Sequence, residues 1–144
     1  MGNQDTPATV LYCGPDLFIG TTPSGHALTL DTDSKRSHAP SPMELLLLAL
    51  GSCTAVDVIG ILKKKREHIH SYRVEITGDR RDEHPRKYTQ LRVHHIFTGH
   101  NISHRAVAHA IELSETKYCS VVATLKPGVE ILSSFETIEE SEGT

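Results

Sequence analysis

Apolar residues are spread unevenly along this chain. From Ser41 to about Arg66 (SPMELLLLALGSCTAVDVIGILKKKR) they occupy nearly every position. The start of that run reads as a helix N-terminus. Ser41 can cap, Pro42 fits the first helical position, and Glu44 falls three residues after the cap, completing a capping box. Lys63, Lys64, Lys65 and Arg66 suit the negative end of a helix dipole. The pattern predicts one long helix, buried on most of its circumference, that serves as the spine of a domain.

On either side the pattern changes to alternation. Thr9 to Cys13 is β-rich, Gly14-Pro15-Asp16 marks a turn, and Leu17 to Gly20 resumes a strand. After a turn at Pro23-Ser24-Gly25, His26 to Asp31 alternates like a half-buried strand, which gives a three-stranded meander. Asp33 to Pro40 is a polar loop into the long helix. Beyond the helix, Ser71 to Gly78 alternates, with Tyr72, Val74 and Ile76 on one face. The charge-dense stretch Asp79 to Arg86 reads as a solvated turn, and Tyr88 to Thr98 as the longest strand. Ser103 opens a second helix through Lys117, with Val107, Ala110, Ile111 and Ser114 on one face. The stretch KYCSVVATLKPG reads as a short helix ended by Pro127-Gly128, and Val129 to Ile138 as a final strand. Residues 1–8 and Glu139 to Thr144 are expected to be loose ends. This order is an α+β pattern, with no internal repeat and no linker, so residues 1–144 are expected to form a single domain.

Composition narrows the class. A chain of 144 residues with 38% hydrophobic residues can build one core, and without tryptophan it must use Leu, Val, Ile and Ala. A formal charge of −3 gives no electrostatic reason to expect nucleic acid. Three cysteines without a CxxC pair argue against a disulfide scaffold and a cysteine-rich zinc site. Leu45 to Leu62 reaches the lower edge of a membrane span, but Asp57, Ser52, Thr54, Gly51 and Gly60 fall inside it. A central Asp costs roughly 2.5–3.5 kcal/mol on insertion scales. Met1 to Pro7 is polar, so no secretory signal is read there, and the short myristoylation pattern at Met1-Gly2 and Thr6 is too loose to use. The expectation is a cytoplasmic protein with no membrane partner.

The candidate chemistry lies with Cys53 and Cys119. Each sits in or at the start of a helical segment among small residues: Gly51, Ser52 and Thr54 around the first, Ser120 after the second. Small neighbours leave room for a substrate, and a second thiol within disulfide reach can resolve a sulfenic acid before it over-oxidises. Spacing alone leaves open whether the two meet, and a free cysteine is most often a small core hydrophobe. Asp57, four residues after Cys53, shares its helical face, and a carboxylate there disfavours a thiolate. The ten histidines lack the spacing of a metal enzyme: His94 and His95 point to opposite faces of a strand, His104 and His109 are five apart, and His68 and His70 follow a helix end. They read as surface or packing residues. No metal is expected, and with no Gly-rich phosphate loop and no GxSxG no cofactor is expected either.

Ser41-Pro42-Met43-Glu44-Leu45-Leu46, Gly51-Ser52-Cys53, and Cys119 after an amphipathic helix together resemble the family of osmotically inducible protein C and the organic hydroperoxide resistance proteins (OsmC/Ohr). The likeness runs from the meander to the last strand and is nearest to the OsmC-like branch. It implies an α+β fold in which antiparallel sheets wrap long central helices in an intertwined homodimer. It also implies a thiol peroxidase of organic hydroperoxides in the oxidative stress response, with Cys53 peroxidatic, Cys119 resolving and a dithiol reductant to restore them. Active members use a glutamate directly after the proline and an arginine from the meander. Here Met43 follows Pro42, Glu44 lies about 100° further round the helix, and Thr9 to Asp31 holds no arginine or lysine, leaving Arg80, Arg81 or Arg86 as substitutes. A fold-keeping binding or structural protein without catalysis is the alternative.

Overall fold

The structure is a computed structural model and describes residues 5–141. It contains two compact units, divided between Leu46 and Leu47. Expectations for residues 1–4 and 142–144 lie outside the described residues.

The first unit is the expected meander. Strands β1 (Thr9–Tyr12), β2 (Leu17–Thr21) and β3 (Ala27–Asp31) pair antiparallel in that order. The turn between β2 and β3 uses Gly25 at φ 90°, a left-handed conformation that only glycine adopts without strain. Beyond β3, buried Asp31 organises the loop. Its carboxylate accepts from the Arg36 guanidinium at 3.1 and 3.2 Å, and from the backbone N–H of His38 and Asp33 at 2.9 and 2.8 Å. These donors hold its pKa down at about 2, the Arg36 hydrogen bond contributing most. The capping box forms as read: Glu44 N–H donates to Ser41 Oγ, and Ser41 N–H donates to Glu44 Oε1.

Helix α1 (Pro42–Lys64) starts there and runs on into the second unit. Its C-terminus is a Schellman closure with Arg66 left-handed at φ 60°. Arg66 N–H donates to the Lys63 carbonyl and Glu67 N–H to that of Leu62. The second unit continues with β4 (His68–Arg80), β5 (Tyr88–His100), α2 (His104–Leu113), a five-residue π turn (Ser114–Tyr118), α3 (Ser120–Leu125) and β6 (Glu130–Glu139). Strands β4 and β5 form an antiparallel hairpin. β6 returns parallel to β5 after the helical crossover, so the sheet order is β4-β5-β6.

The core lies on one face of this sheet. Leu50 packs with Leu91, Val93, Cys119 and Val122, while Val58 and Leu62 pack with Phe97, Val107, Ala110 and Ile111. Two glycines permit the close contacts. A Cβ at Gly51 would lie 2.4 Å from Ile76 Cδ1, and one at Gly99 would lie 2.0 Å from the His68 carbonyl oxygen.

Four sequence readings are corrected. α1 is buried at Leu50, Gly51, Thr54, Val58 and Leu62 but exposes Leu48 and Val56, so within the single chain it is not covered on most of its circumference. β4 begins at His68, making His68 and His70 strand residues, and runs to Arg80, into the stretch read as a turn. The second helix ends at Leu113, four residues before Lys117, because the backbone widens into the π turn at Ser114. Glu139 and Glu140 are not loose: the first ends β6, and the second donates its N–H to the Gly99 carbonyl. By length and composition α1 could also cross a membrane; here its apolar stripe is used against the sheet.

The Gly99 contact gives a direct test. A side chain there meets backbone, which cannot rotate away, so Gly99→Ala should cost about 1–3 kcal/mol by urea unfolding. An unchanged midpoint would contradict the close approach.

Candidate functional site

The two thiols singled out from sequence arrive from different elements and meet. Cys53 rides on the middle of α1. Cys119 occupies the junction between the π turn and α3, with extended backbone at φ −74° and ψ 107°, and caps α3. Both are free thiols, Cys53 half-buried and Cys119 buried. Cys53 packs against the buried cluster that contains Cys119, and the two thiols are near enough to influence each other's ionisation. Cys119 Sγ also accepts from the Val122 N–H at 3.4 Å and lies 3.7 Å from Thr54 Oγ1.

This environment makes the two sulfurs unequal. Burial is the main influence on Cys119 and pushes its pKa up. The neighbouring Cys53 pushes the same way, and the Val122 N–H and Thr54 hydroxyl offset only part of the rise. Cys119 is therefore held as the neutral thiol at neutral pH, suited to being consumed second. Cys53 is the partner that solvent reaches.

Around them the packing is apolar and buried: Leu50, Leu91, Val93 and Val122 with Thr54. Asp57, one turn beyond Cys53 on α1, accepts a hydrogen bond from Ser114 Oγ at 2.9 Å. Ser114 was read only as a buried-face position; its hydroxyl had no sequence partner to announce it. An open hollow of about 430 Å³ between α1 and β4 is lined by Leu48, Ser52, Tyr72 and Ile76, and Cys53 does not line it.

Two of the three arginines read as substitutes, Arg80 and Arg86, serve other ends. Arg80 Nε donates to the Arg86 carbonyl at 2.8 Å and its guanidinium lies 5.8 Å from the Tyr88 ring centre. Arg86 Nε donates to the Arg81 carbonyl at 3.4 Å. Both tie the β4–β5 hairpin. Arg36, which sequence reading passed over, is committed to Asp31.

His94 and His95 do face opposite sides of β5. His94 sits between Ser134 and Glu136 on the solvated face. His95 is fully buried, its Nδ1 2.7 Å from Tyr72 Oη, beside the stacked rings of Tyr72 and Phe97. Among the described residues, no group of three or more His, Cys, Asp or Glu is placed to hold a metal ion.

A family profile described as OsmC-like protein matches residues 32–133, a span that includes both thiols. The chain belongs to the OsmC-like family. Protein YhfA of Escherichia coli K12 is 43% identical over 121 residues, covering 84% of this chain and 90% of its own length. A crystal structure of a hypothetical protein from Aquifex aeolicus VF5 is 31% identical, with a TM-score of 0.83 over 96% of this chain and 100% of that one. An organic hydroperoxide resistance protein OsmC from Legionella pneumophila is only 11% identical, yet shares the fold at a TM-score of 0.68 over 93% of this chain and 99% of that one. The α+β architecture read from sequence is thus the OsmC fold.

Buried His95 makes stability depend on pH. Burial first, and the nearby His94 second, lower its pKa from 6.5 to about 4. The unfolded chain therefore binds a proton that the folded chain refuses. The contribution is full above the ordinary histidine pKa and is lost as pH falls through about 4. Urea unfolding from pH 7 to pH 4 should show a steeper loss in the wild type than in His95→Phe. Equal slopes would mean that His95 titrates normally.

Proposed function

We propose that this OsmC-family chain reduces organic hydroperoxides by a two-cysteine mechanism, as a cytoplasmic homodimer in which residues 1–144 act as one domain. The Cys53 thiolate attacks the outer peroxide oxygen and the O–O bond breaks. The product alkoxide takes a proton to leave as an alcohol, and Cys53 becomes a sulfenic acid. The Cys119 thiol then condenses with it; an S–S bond forms, the S–O bond breaks and water leaves. An external dithiol returns both thiols, itself becoming a disulfide.

The proximity of Cys53 to Cys119, through the apolar cluster they share, carries this reading. Exposure and burial support the order of attack: the half-buried sulfur meets the oxidant and the buried neutral thiol follows. Resemblance to hydroperoxide resistance proteins supports the substrate class. The homodimer is supported by apolar side chains that the single chain leaves uncovered: Val10, Leu11 and Tyr12 on β1, Leu48 and Val56 on α1.

A second reading, a binding or structural protein without catalysis, is favoured by the carboxylate of Asp57 on the Cys53 face and by the engagement of Arg80 and Arg86 within their own hairpin.

Cysteine variants separate the two. With an alkyl hydroperoxide and a dithiol reductant, Cys53→Ser should lower turnover more than about 100-fold. Cys119→Ser should still react once and accumulate a sulfenic acid that dimedone traps. Cys13→Ser should match the wild type, because Cys13 is exposed after β1 and its thiol donates to the Leu11 carbonyl. Unchanged consumption by Cys53→Ser would favour the second reading, and loss in Cys13→Ser would mean a different thiol pair.

A further inference from the structure

Cys53 and Cys119 lie 66 positions apart, on elements that no regular structure joins. α1 carries one, and the other sits at a break between a π turn and a six-residue helix. Apolar packing around Cys119 fixes depth but not register, so something directional must hold the junction along α1. Two side-chain links do so. The Thr54–Cys119 contact at 3.7 Å is a weak sulfur hydrogen bond. The other is the Ser114–Asp57 hydrogen bond at 2.9 Å, short and made to a carboxylate.

The second link leads straight to the thiol. Ser114 opens the π turn and is fully buried. Its carbonyl accepts the Cys119 N–H at 2.8 Å, the contact that closes the turn. Asp57 is one helical turn from Cys53 on the same face. Two hydrogen bonds, Ser114 Oγ to Asp57 and Cys119 N–H to Ser114, therefore span from the Cys53 turn of α1 to the Cys119 backbone. π turns cluster at functional sites because the extra residue per turn re-aims one backbone position. Here that position is Cys119.

The geometry points to Asp57 and Ser114 as positioning residues that set how readily Cys119 closes onto Cys53. This rests on the two-thiol reading above and concerns its second step. The bridge touches neither sulfur, so it has no direct part in the attack on peroxide. Its effect falls on the condensation of Cys119 with the Cys53 sulfenic acid, and equally on the equilibrium between dithiol and disulfide. Asp57 works as a hydrogen-bond acceptor, a role that an asparagine oxygen can fill without the charge.

The test compares wild type with Asp57→Ala, Ser114→Ala and Asp57→Asn, each checked for folding by circular dichroism. Two quantities are measured on every protein. One is the equilibrium between the Cys53–Cys119 disulfide and dithiothreitol, which involves no peroxide. The other is a single-turnover reaction with an alkyl hydroperoxide, resolving sulfenic acid formation from disulfide formation. In Asp57→Ala and Ser114→Ala, disulfide formation should slow and the disulfide equilibrium should weaken by about tenfold or more; sulfenic acid formation should stay within about twofold of wild type in Ser114→Ala and should quicken in both Asp57 variants, which lose a carboxylate that disfavours the Cys53 thiolate. Asp57→Asn should restore disulfide formation and its equilibrium. Wild-type closure in both alanine variants would overturn the bridge, and so would Asp57→Asn behaving like Asp57→Ala, since charge would then be what matters. If Asp57→Ala does not fold, Ser114→Ala removes the same bond from its other end. Failure of wild-type Cys53 to react with hydroperoxide would sink the peroxidase reading alone, because the dithiothreitol equilibrium still reports the bridge.

Discussion

The second unit depends on how closely α1 can approach the sheet. Leu50, Thr54, Val58 and Leu62 recur every four residues and form one buried stripe. Beside that stripe Gly51 presents no side chain to β4, and Ile76 Cδ1 fills the space a Cβ would take. A methyl group there would meet the far end of the Ile76 side chain, so Ile76 must shift and its neighbours with it. Interiors are packed too densely for such a shift to be absorbed at one residue. Gly51 thus lets Ile76 fill the space beside the stripe, next to the thiol, without a clash.

The position of Cys53 follows from that stripe. Cys53 and Asp57 fall one residue before Thr54 and Val58, and so lie at the edge of the buried row. Edge positions on a helix that lies flat on a sheet are half-covered, which leaves Cys53 within reach of solvent. The crossover from β5 to β6 then closes over this edge, because parallel strands require a long connection and here it runs through α2, the π turn and α3. The sulfur it delivers is the more deeply buried. Unequal burial of the two thiols is thus a product of topology, and it matches the order in which a two-step oxidation uses them.

What could be read from sequence was what is local. The capping box at Ser41 and Glu44 involves four adjacent residues, and the meander is punctuated by Gly14, Pro15 and Gly25. The end of α2 was misread because Ser114 to Tyr118 (SETKY) contains no glycine or proline. A π turn keeps helical backbone angles while changing hydrogen-bond partners, so periodicity runs through it unmarked. The start of β4 was read late because His68 and His70 carry no strand signal of their own and owe their place to pairing with β5. The meeting of Cys53 with Cys119, the Asp57–Ser114 bond and the Arg36–Asp31 pair are all tertiary. Residue types made each of them possible, and only the fold brought the partners together. Resemblance supplied the expectation that the thiols pair, where spacing could not.

Proximity and charge contribute to different steps of the proposed chemistry. Attack on a hydroperoxide is bimolecular and requires a thiolate, so it gains from a cation placed beside the sulfur. The guanidiniums of Arg36, Arg80, Arg86 and Arg92 are held by Asp31, by hairpin carbonyls and by Asp79. Met43 stands where active relatives are expected to carry a glutamate. Closure of the disulfide is intramolecular and depends on where the second thiol is held, which involves hydrogen bonds and packing but no ion pair. In this chain the second step has a defined scaffold of Thr54, Asp57, Ser114 and the Cys119 backbone, while the first rests on a small, half-open surround. Under the proposed chemistry, a chain built this way would favour forming and keeping a disulfide over rapid capture of peroxide, and its two rates would answer to mutations in different parts of the fold.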